Sequence, residues 1–182
     1  MTLPTTPSQT VGPYLHIGLS WEDGPYAVAE GTPGAVWLRG RVTDGAGEPV
    51  VDGLIETWQA DADGRFDHAD DPRGAVPAPA GFRGFGRAAT DANGEYAILT
   101  VKPGAVDEQA PHIDVSVFAR GLLHRVVTRV YFADEADANA ADPVLAAVPE
   151  DRRDTLVAER TADGYRLDIR LQGGNETVFF AV

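Results

Sequence analysis

The sequence contains no cysteine, which excludes a disulfide framework, an iron–sulfur cluster and a thiolate zinc site. Lysine is nearly absent as well, because Lys102 is the only one among 15 basic residues and the others are arginines. Arginine is the side chain that can hold a carboxylate through two parallel hydrogen bonds. No run of about 18 apolar residues occurs, so we expect no membrane-spanning helix.

Acidic residues outnumber basic ones, and the formal net charge is −13. Such a charge repels a phosphate backbone, which argues against nucleic-acid binding. It also repels any small anionic substrate, so a site for one must place a cation beside it. Residues 1–14 have neither the basic segment nor the apolar core of a signal peptide, and we therefore expect a cytoplasmic protein.

The chain length of 182 residues fits one domain with an extension. Residues 1–34 combine proline, glycine, threonine and serine without a regular period, which predicts an extended N-terminal arm rather than a core-forming segment. Short strand patterns begin after this arm and continue through residues 35–182. We therefore divide the chain into an arm that packs on another surface and a β-sheet domain.

Alternating apolar residues and intervening turn signals predict the elements of this domain. The predicted fold is mainly β, an antiparallel β-sandwich of seven to eight strands with short helical insertions and an extended N-terminal arm. The predicted strands are Val36–Val42, Leu54–Gln59, Arg87–Thr90, Tyr96–Val101, Ile113–Phe118, Val126–Phe132, Tyr165–Gln172 and Thr177–Val182. The predicted helices are Glu135–Ala141 and Pro149–Glu159, the second with proline at its first position.

A metal site is suggested by His112 and Asp114, because residues i and i+2 of a strand share a face. The next histidine, His124, lies beyond a predicted hairpin at Gly121, about 20 Å along the sheet. The pair alone therefore favours a structural role. A second cluster follows the second strand and lacks the spacing of a calcium loop, which favours a solvated acidic loop. Its members are Asp61, Asp63, Asp67, Asp70 and Asp71.

Several stretches in order along the chain resemble the intradiol ring-cleaving dioxygenases, and in particular the subunits of this family that lack the iron ligands. The resemblance covers nearly the whole chain. Its stretches are residues 6–18 (TPSQTVGPYLHIG), 56–61 (ETWQAD), 100–104 (TVKPG), 110–113 (APHI), 117–121 (VFARG) and 172–180 (QGGNETVFF).

The resemblance implies a ferric iron held by two tyrosines and two histidines in a catalytic β subunit. At the corresponding positions this chain has Phe66, the segment 105–108 without a tyrosine, His112 and Asp114. Phenolate oxygens are the hard anionic ligands that stabilise Fe(III), and phenylalanine has none. The resemblance therefore implies that this chain binds no metal and holds no catalytic residue of its own.

The implied function is that of an α subunit that forms part of a substrate pocket at the α–β interface. The assembled enzyme would use O₂ to cleave a catecholic acid, 3,4-dihydroxybenzoate, to 3-carboxy-cis,cis-muconate, with several αβ protomers in a larger oligomer. The substrate-binding positions carried over by the resemblance are Arg120, Thr10, Gly12, Pro13 and Tyr14.

Two other functions remain open at this stage. The chain could be a self-sufficient intradiol catechol dioxygenase with Tyr96, Tyr131 or Tyr165 as replacement ligands, although tyrosine inside a strand pattern more often serves packing. It could also be a non-catalytic β-sandwich module that binds a partner.

Overall fold

The computed structural model describes residues 9–10, 12–73 and 81–182, and for Pro13 and His16 only the backbone. The predictions for residues 1–8 and 11 of the arm lie outside the described residues. The described strands are β1 (Ala35–Thr43), β2 (Leu54–Trp58), β3 (Phe85–Ala89), β4 (Glu95–Val101), β5 (His112–Phe118), β6 (Val126–Phe132), β7 (Val157–Arg160), β8 (Gly164–Arg166) and β9 (Ile169–Arg170). The helices are α1 (Pro13–Gly18), α2 (Ala136–Ala141), α3 (Pro143–Ala146) and a 3₁₀ helix (Glu150–Leu156).

The strands form one sheet in the order β3-β2-β5-β6-β7-β8-β1-β4, with β9 also pairing with β1. The two ends of this order approach each other, since the Thr100 hydroxyl near the end of β4 donates to Oε1 of Gln59, the residue after β2, at 2.6 Å. The sheet is therefore curled around its core. Inward-facing aliphatic residues of β1, β2, β4, β5 and β6 fill that core, among them Leu38, Ile55, Ile98, Ile113 and Val130.

The predicted β5–β6 hairpin is confirmed, with Val117 opposite Val126 and His112 opposite Tyr131. The mainly β class is confirmed too, but a wholly antiparallel sandwich of seven to eight strands is wrong. Nine strands are described, and β1–β8, β1–β9 and β6–β7 pair in parallel. The helices between β6 and β7 return the chain to the last residues of β6, where Val157 lies beside Tyr131 and the two strands run parallel. Residue periodicity does not encode strand direction.

Three predicted elements differ from the structure for local reasons. The second predicted helix is shorter and is a 3₁₀ helix, because Val157 and Ala158 pair with β6 instead. The predicted strand 165–172 is broken into β8 and β9, because an Asp168 carboxylate oxygen accepts the Arg41 amide at 2.9 Å. The predicted strand 177–182 makes only one bridge, between Phe180 and Val127.

The predicted arm is not uniform. Helix α1, which the sequence pattern did not predict, begins at Pro13. Further along, the Ala27 amide donates to the Leu99 carbonyl at 2.9 Å, and Ala27 and Val28 are fully buried. Residues 25–28 therefore belong to the core of this chain, whereas residues 14–21 are mostly exposed. Within the described residues, no helix has the length and apolar character needed to cross a membrane.

Candidate functional site

The four positions that the resemblance relates to ferric ligands lie around the N-terminal end of β5. The Phe66 ring stacks on Trp58, with ring centroids 6.0 Å apart and an interplanar angle of 11°. Trp58 is in turn the register partner of Asp114. The position of the first tyrosine ligand is therefore occupied by an apolar ring that packs on a neighbour.

The loop that would carry the second tyrosine packs directly on the turn before Phe66. Gly64 has φ +75°, and a Cβ there would lie 2.1 Å from the Ala105 carbonyl oxygen. The Gly104 amide donates to the Asp61 carbonyl at 2.8 Å in the same contact. Only glycine allows this approach of the two backbones. The two loops are thus brought together as a tyrosine pair would require, but neither presents a phenol.

His112 and Asp114 are both engaged by groups of the chain. His112 is 7% exposed, and its Nδ1 lies 2.8 Å from the Ala110 carbonyl oxygen, to which it donates. Asp114 accepts from Arg129 Nε at 2.9 Å, and Arg129 Nη1 also donates to Gln109 Oε1 at 2.6 Å. A fixed guanidinium therefore lies against the carboxylate at the fourth ligand position.

Arg129 stays charged in this setting. Burial opposes the charged form, but hydrogen bonding with the Tyr131 hydroxyl and the Asp114 charge more than offset it and raise the pKa of Arg129. A cation that is already present repels a second one. Among the described residues, no group of three or more histidine, aspartate or glutamate side chains is arranged to hold a metal. The donor set at this end of β5 does not fit the family's ferric ion.

The three strand tyrosines do not supply substitute ligands, because each hydroxyl is used separately. Tyr96 donates to the Leu167 carbonyl at 2.8 Å, Tyr131 to Asp142 at 3.1 Å and Tyr165 to Asp134 at 3.0 Å. Burial raises the pKa of all three phenols, that of Tyr131 to about 12.

The acidic cluster after β2 is only partly a solvated loop. Asp61 and Asp71 are each 7% exposed and organise the turns around Phe66. One Asp61 oxygen accepts the amides of Asp63 and Arg65, both at 2.9 Å. The Arg73 side chain, together with the Phe66 and Arg73 amides, holds the pKa of Asp71 well below its usual range. The interpretation as a wholly solvated loop is wrong for these two residues, whose role is structural.

The opposite end of β5 is open. A cavity of about 530 Å³ lies there between the arm and the segment that follows β5. The arm contributes Gln9, Thr10, Gly12, Tyr14 and Leu15 to its lining. The β-sheet domain contributes Phe118, Leu123, His124 and Arg125. The structure thus brings three of the five predicted substrate-binding residues, Thr10, Gly12 and Tyr14, to one cavity.

One hydrogen bond joins the two sides of this cavity. The Gly121 amide donates to Thr10 Oγ1 at 2.9 Å. Gly121 has φ +93°, a left-handed conformation that favours glycine, and it lets the chain turn away directly after Arg120. Pro13 begins α1 in the same part of the arm. Contacts within this chain therefore hold the arm against the β5–β6 connection.

Arg120 lies beside this cavity without being part of its described lining. Its side chain is 66% exposed, and its Nε donates to Asp52 Oδ2 at 2.6 Å. Asp52 lies just before β2, and its side chain is only 18% exposed. Sequence reasoning did not predict Asp52, His124 or Arg125 at this site. The pairings Leu54–Phe118 and Val117–Val126 place all three at this end of the sheet, which no local motif indicates.

Large apolar side chains are exposed around the same cavity. Tyr14 is 82% exposed, Ile17 69% and Leu123 59%. Trp21, 45% exposed, packs on the Arg87 guanidinium at 4.2 Å, which ties the end of the arm to β3. Several exposed apolar side chains around one cavity are typical of a binding surface.

Comparisons with known proteins agree with this arrangement. A family model described as Dioxygenase matches residues 12–173. The α chain of protocatechuate 3,4-dioxygenase from Burkholderia cepacia is 47% identical over 199 residues, covering 100% of this chain and 99% of that one. The α chain from Pseudomonas putida is 45% identical over 200 residues, covering 98% and 96%.

The β chain of the Burkholderia cepacia enzyme is also similar, at 38% identity over 168 residues, covering 83% of this chain and 71% of that one. Among solved structures, the dioxygenase domain of a carbohydrate-binding fusion protein from Streptomyces sp. SirexAA-E aligns with a TM-score of 0.59 and 23% identity, covering 93% and 100%. An intradiol ring-cleavage dioxygenase from Tetranychus urticae aligns with a TM-score of 0.63 and 16% identity, covering 80% and 83%. The chain belongs to the intradiol dioxygenase family, whose members use non-haem iron(III).

Proposed function

We propose that this chain is the non-iron-binding α subunit of a protocatechuate 3,4-dioxygenase. The identity of 45–47% to two α chains over nearly their full length supports this assignment. The assembled enzyme cleaves 3,4-dihydroxybenzoate between its two hydroxyls with O₂ and produces 3-carboxy-cis,cis-muconate, a step in the catabolism of aromatic compounds. Both oxygen atoms enter the product.

The catalytic β subunit is the partner that holds the ferric ion. The observation that carries this point is the filled centre at the N-terminal end of β5, where Phe66 stacks on Trp58 and Arg129 pairs with Asp114. Iron(III) in the β subunit makes the bound catecholate reactive toward O₂. This chain instead binds part of the substrate and helps to enclose the pocket.

The pocket that this chain contributes is the cavity at the opposite end of β5. Thr10, Gly12, Pro13 and Tyr14 supply its arm side, and Arg120 lies beside it as a hydrogen-bond donor for the substrate. The exposed Tyr14, together with its apolar neighbours, forms a surface that the β subunit covers. The N-terminal arm of residues 1–34 packs on the partner through its exposed part, and residues 35–182 form the dioxygenase-like domain. The αβ protomers assemble into a larger oligomer.

The test compares the chain alone, the β subunit alone and the two co-expressed. We expect the isolated chain to be colourless and nearly iron-free, because phenolate-to-Fe(III) charge transfer requires a tyrosinate ligand. The co-purified complex should contain iron and consume O₂ with protocatechuate. Stoichiometric iron and a visible charge-transfer band in the isolated chain would contradict the proposal, as would a complex with no activity.

A further inference from the structure

The end of the arm is attached to strand β3 through Arg87, whose side chain is only 14% exposed. The Cζ atom of its guanidinium lies 4.2 Å from the centroid of the Trp21 ring. Its Nη1 donates to the Leu19 carbonyl at 3.3 Å, and its backbone amide donates to the Gly24 carbonyl at 2.7 Å. Three contacts of one strand residue therefore join the sheet to residues 19–24.

The guanidinium of Arg87 is itself fixed by a carboxylate on the neighbouring strand. Glu56 on β2 is the register partner of Arg87. Its Oε1 accepts from Arg87 Nε at 2.7 Å and also from Nη2. Because a charge-assisted pair of this kind holds the plane of the guanidinium, the Trp21 ring meets a cation in a defined orientation. Glu56, Arg87 and Trp21 thus form a clamp on the end of the arm.

The turn at Gly24 allows Trp21 to reach this clamp. Gly24 is buried, and its amide donates to the Trp21 carbonyl at 3.0 Å. A Cβ at Gly24 would lie 2.7 Å from the Arg87 carbonyl oxygen and 3.2 Å from Trp21 Nε1. A larger residue would displace β3 or the Trp21 ring, so the absence of a side chain here is what lets the arm pack on the strand.

Helix α1 lies between the clamp and a second attachment of the arm. At that second attachment, the Gly121 amide donates to Thr10 Oγ1 at 2.9 Å. The helix has six residues, and its Tyr14 and Ile17 side chains are 82% and 69% exposed. A helix of this length is not stable by itself in water. Its position on the molecule therefore depends on how its two ends are held.

We propose that Arg87, oriented by Glu56 and packed on Trp21, is a positioning residue that holds the arm where it closes the pocket of the αβ enzyme. Arg87 acts on the reaction through the arm and not through contact with the substrate. The inference rests on the proposed function, in which the exposed part of the arm packs on the β subunit. Without the clamp, the arm occupies the closing position in only a fraction of the molecules, and substrate binding weakens by that fraction.

The experiment measures steady-state O₂ uptake by the co-expressed αβ complex over a range of protocatechuate concentrations. Arg87→Met keeps an unbranched apolar side chain and removes the charge. It should raise KM about three- to tenfold, the loss expected for one cation–π contact and one hydrogen bond. We expect kcat to change less than about twofold, because saturating substrate selects the molecules with the arm in place. Arg87→Lys should restore part of the lost affinity.

Trp21→Leu tests the clamp from the side of the arm, since it leaves the Arg87–Glu56 pair intact. It should give the same rise in KM. The double variant should be no worse than about twofold beyond either single one, because both substitutions break the same contact. Hydrogen-exchange mass spectrometry of the complex should show faster exchange in residues 12–21 of each variant, with β2 and β3 unchanged.

Arg39→Met is the matched control. Arg39 on β1 also lies over a tryptophan, with its Cζ 4.6 Å from the Trp37 centroid, and it also pairs with a carboxylate, that of Asp163 at 3.1 Å. Neither partner belongs to the arm. The control should therefore keep the parent KM, the parent kcat and the parent exchange of residues 12–21.

Unchanged KM in both Arg87→Met and Trp21→Leu would overturn the inference while leaving the proposed function intact. Faster exchange throughout β2 and β3 in Arg87→Met would also overturn it, because Arg87 would then stabilise the sheet instead of positioning the arm. If Arg87→Met does not fold, Trp21→Leu decides alone, and its failure to assemble with the β subunit would count against the inference. A parent complex without activity would instead overturn the proposed function, and this inference with it.

Discussion

The two ends of strand β5 lie about 20 Å apart and have opposite properties. At the His112 end, Asp114 is paired with Arg129, Phe66 is stacked on Trp58, and the Gly104 amide donates to the Asp61 carbonyl. At the Phe118 end, a cavity is open, apolar side chains are exposed, and Arg125 has no described partner. The side chains at the His112 end are paired or packed within the chain, whereas the cavity and the apolar side chains at the Phe118 end are exposed.

This difference separates structural from functional use of the same residue types. The Asp114 carboxylate is paired with the Arg129 guanidinium, whose positive charge would repel a metal ion bound to the same carboxylate. A ligand or partner that covers exposed apolar side chains removes them from water, and this lowers the free energy of the complex. The family's iron position is therefore occupied by paired and stacked side chains at one end of the strand, and the binding surface that we propose lies at the other.

The closed end would be disrupted most by removing Asp142, which is completely buried. Its two oxygens accept the amides of Ala110, Val144 and Leu145 at 2.7–2.9 Å, and they also accept the Tyr131 hydroxyl. We expect Asp142→Ala to lower the free energy of unfolding by about 3 kcal/mol or more, because four donors lose their acceptor. Urea unfolding of the purified chain measures this.

Asp142→Asn should cost less than Asp142→Ala, since the amide keeps one acceptor oxygen in place. Asp137→Ala, an exposed acid of α2, is the control and should stay within about 0.5 kcal/mol of the parent. A loss for Asp142→Ala no larger than that of the control would mean that the network does not stabilise this end.

The open end is tested by Arg120→Ala in the co-expressed complex. If Arg120 contacts the substrate, kcat/KM for protocatechuate should fall about ten- to a hundredfold, or roughly 1.5–3 kcal/mol in transition-state binding. Arg120→Lys should recover only part, because a point charge replaces a planar fork. Iron content and assembly should not change. If both variants keep the wild-type kcat/KM, Arg120 does not contact the substrate and only forms a surface ion pair with Asp52.

Arg129→Met tests whether the charge pair closes the vestigial iron position. We expect the free energy of unfolding to fall by about 1–2 kcal/mol, since Asp114 and Gln109 lose a donor while Asp114 remains partly hydrated. Arg160→Met removes an arginine that is 67% exposed and should cost less than about 0.5 kcal/mol in the same urea titration. Equal effects of the two substitutions would contradict a special role for Arg129.

The smallest effect concerns the hydrogen bond between the arm and the loop after β5. Thr10→Val removes the acceptor of the Gly121 amide, which should exchange with solvent up to about tenfold faster, as expected for one hydrogen bond of about 1 kcal/mol. Thr10→Ser keeps the oxygen and should keep the protection. Hydrogen-exchange mass spectrometry of residues 119–124 measures both. Unchanged exchange in Thr10→Val would mean that the arm is held by other contacts.

Strand positions followed from the sequence wherever a strand is half-buried, because such strands alternate apolar and polar residues. Val126–Phe132 matches β6 at both ends, and Leu54–Gln59 differs from β2 by one residue. Prediction failed where a side chain or a distant pairing decides the conformation. Asp168 interrupts a continuous strand pattern by accepting the Arg41 amide, and Val157 joins a sheet rather than a helix.

The sequence by itself determined what is missing from the chain: a phenylalanine has no oxygen at position 66 and an aspartate stands at position 114, whatever the fold. Only the tertiary structure decided how those positions are filled and which cation is free. Arg120, Arg125 and Arg129 are equivalent by composition, but Asp52 neutralises the first, Asp114 holds the third, and the second has no described partner. The physical reason is that pairing depends on distances of a few ångströms between segments far apart in the chain, which local patterns do not specify.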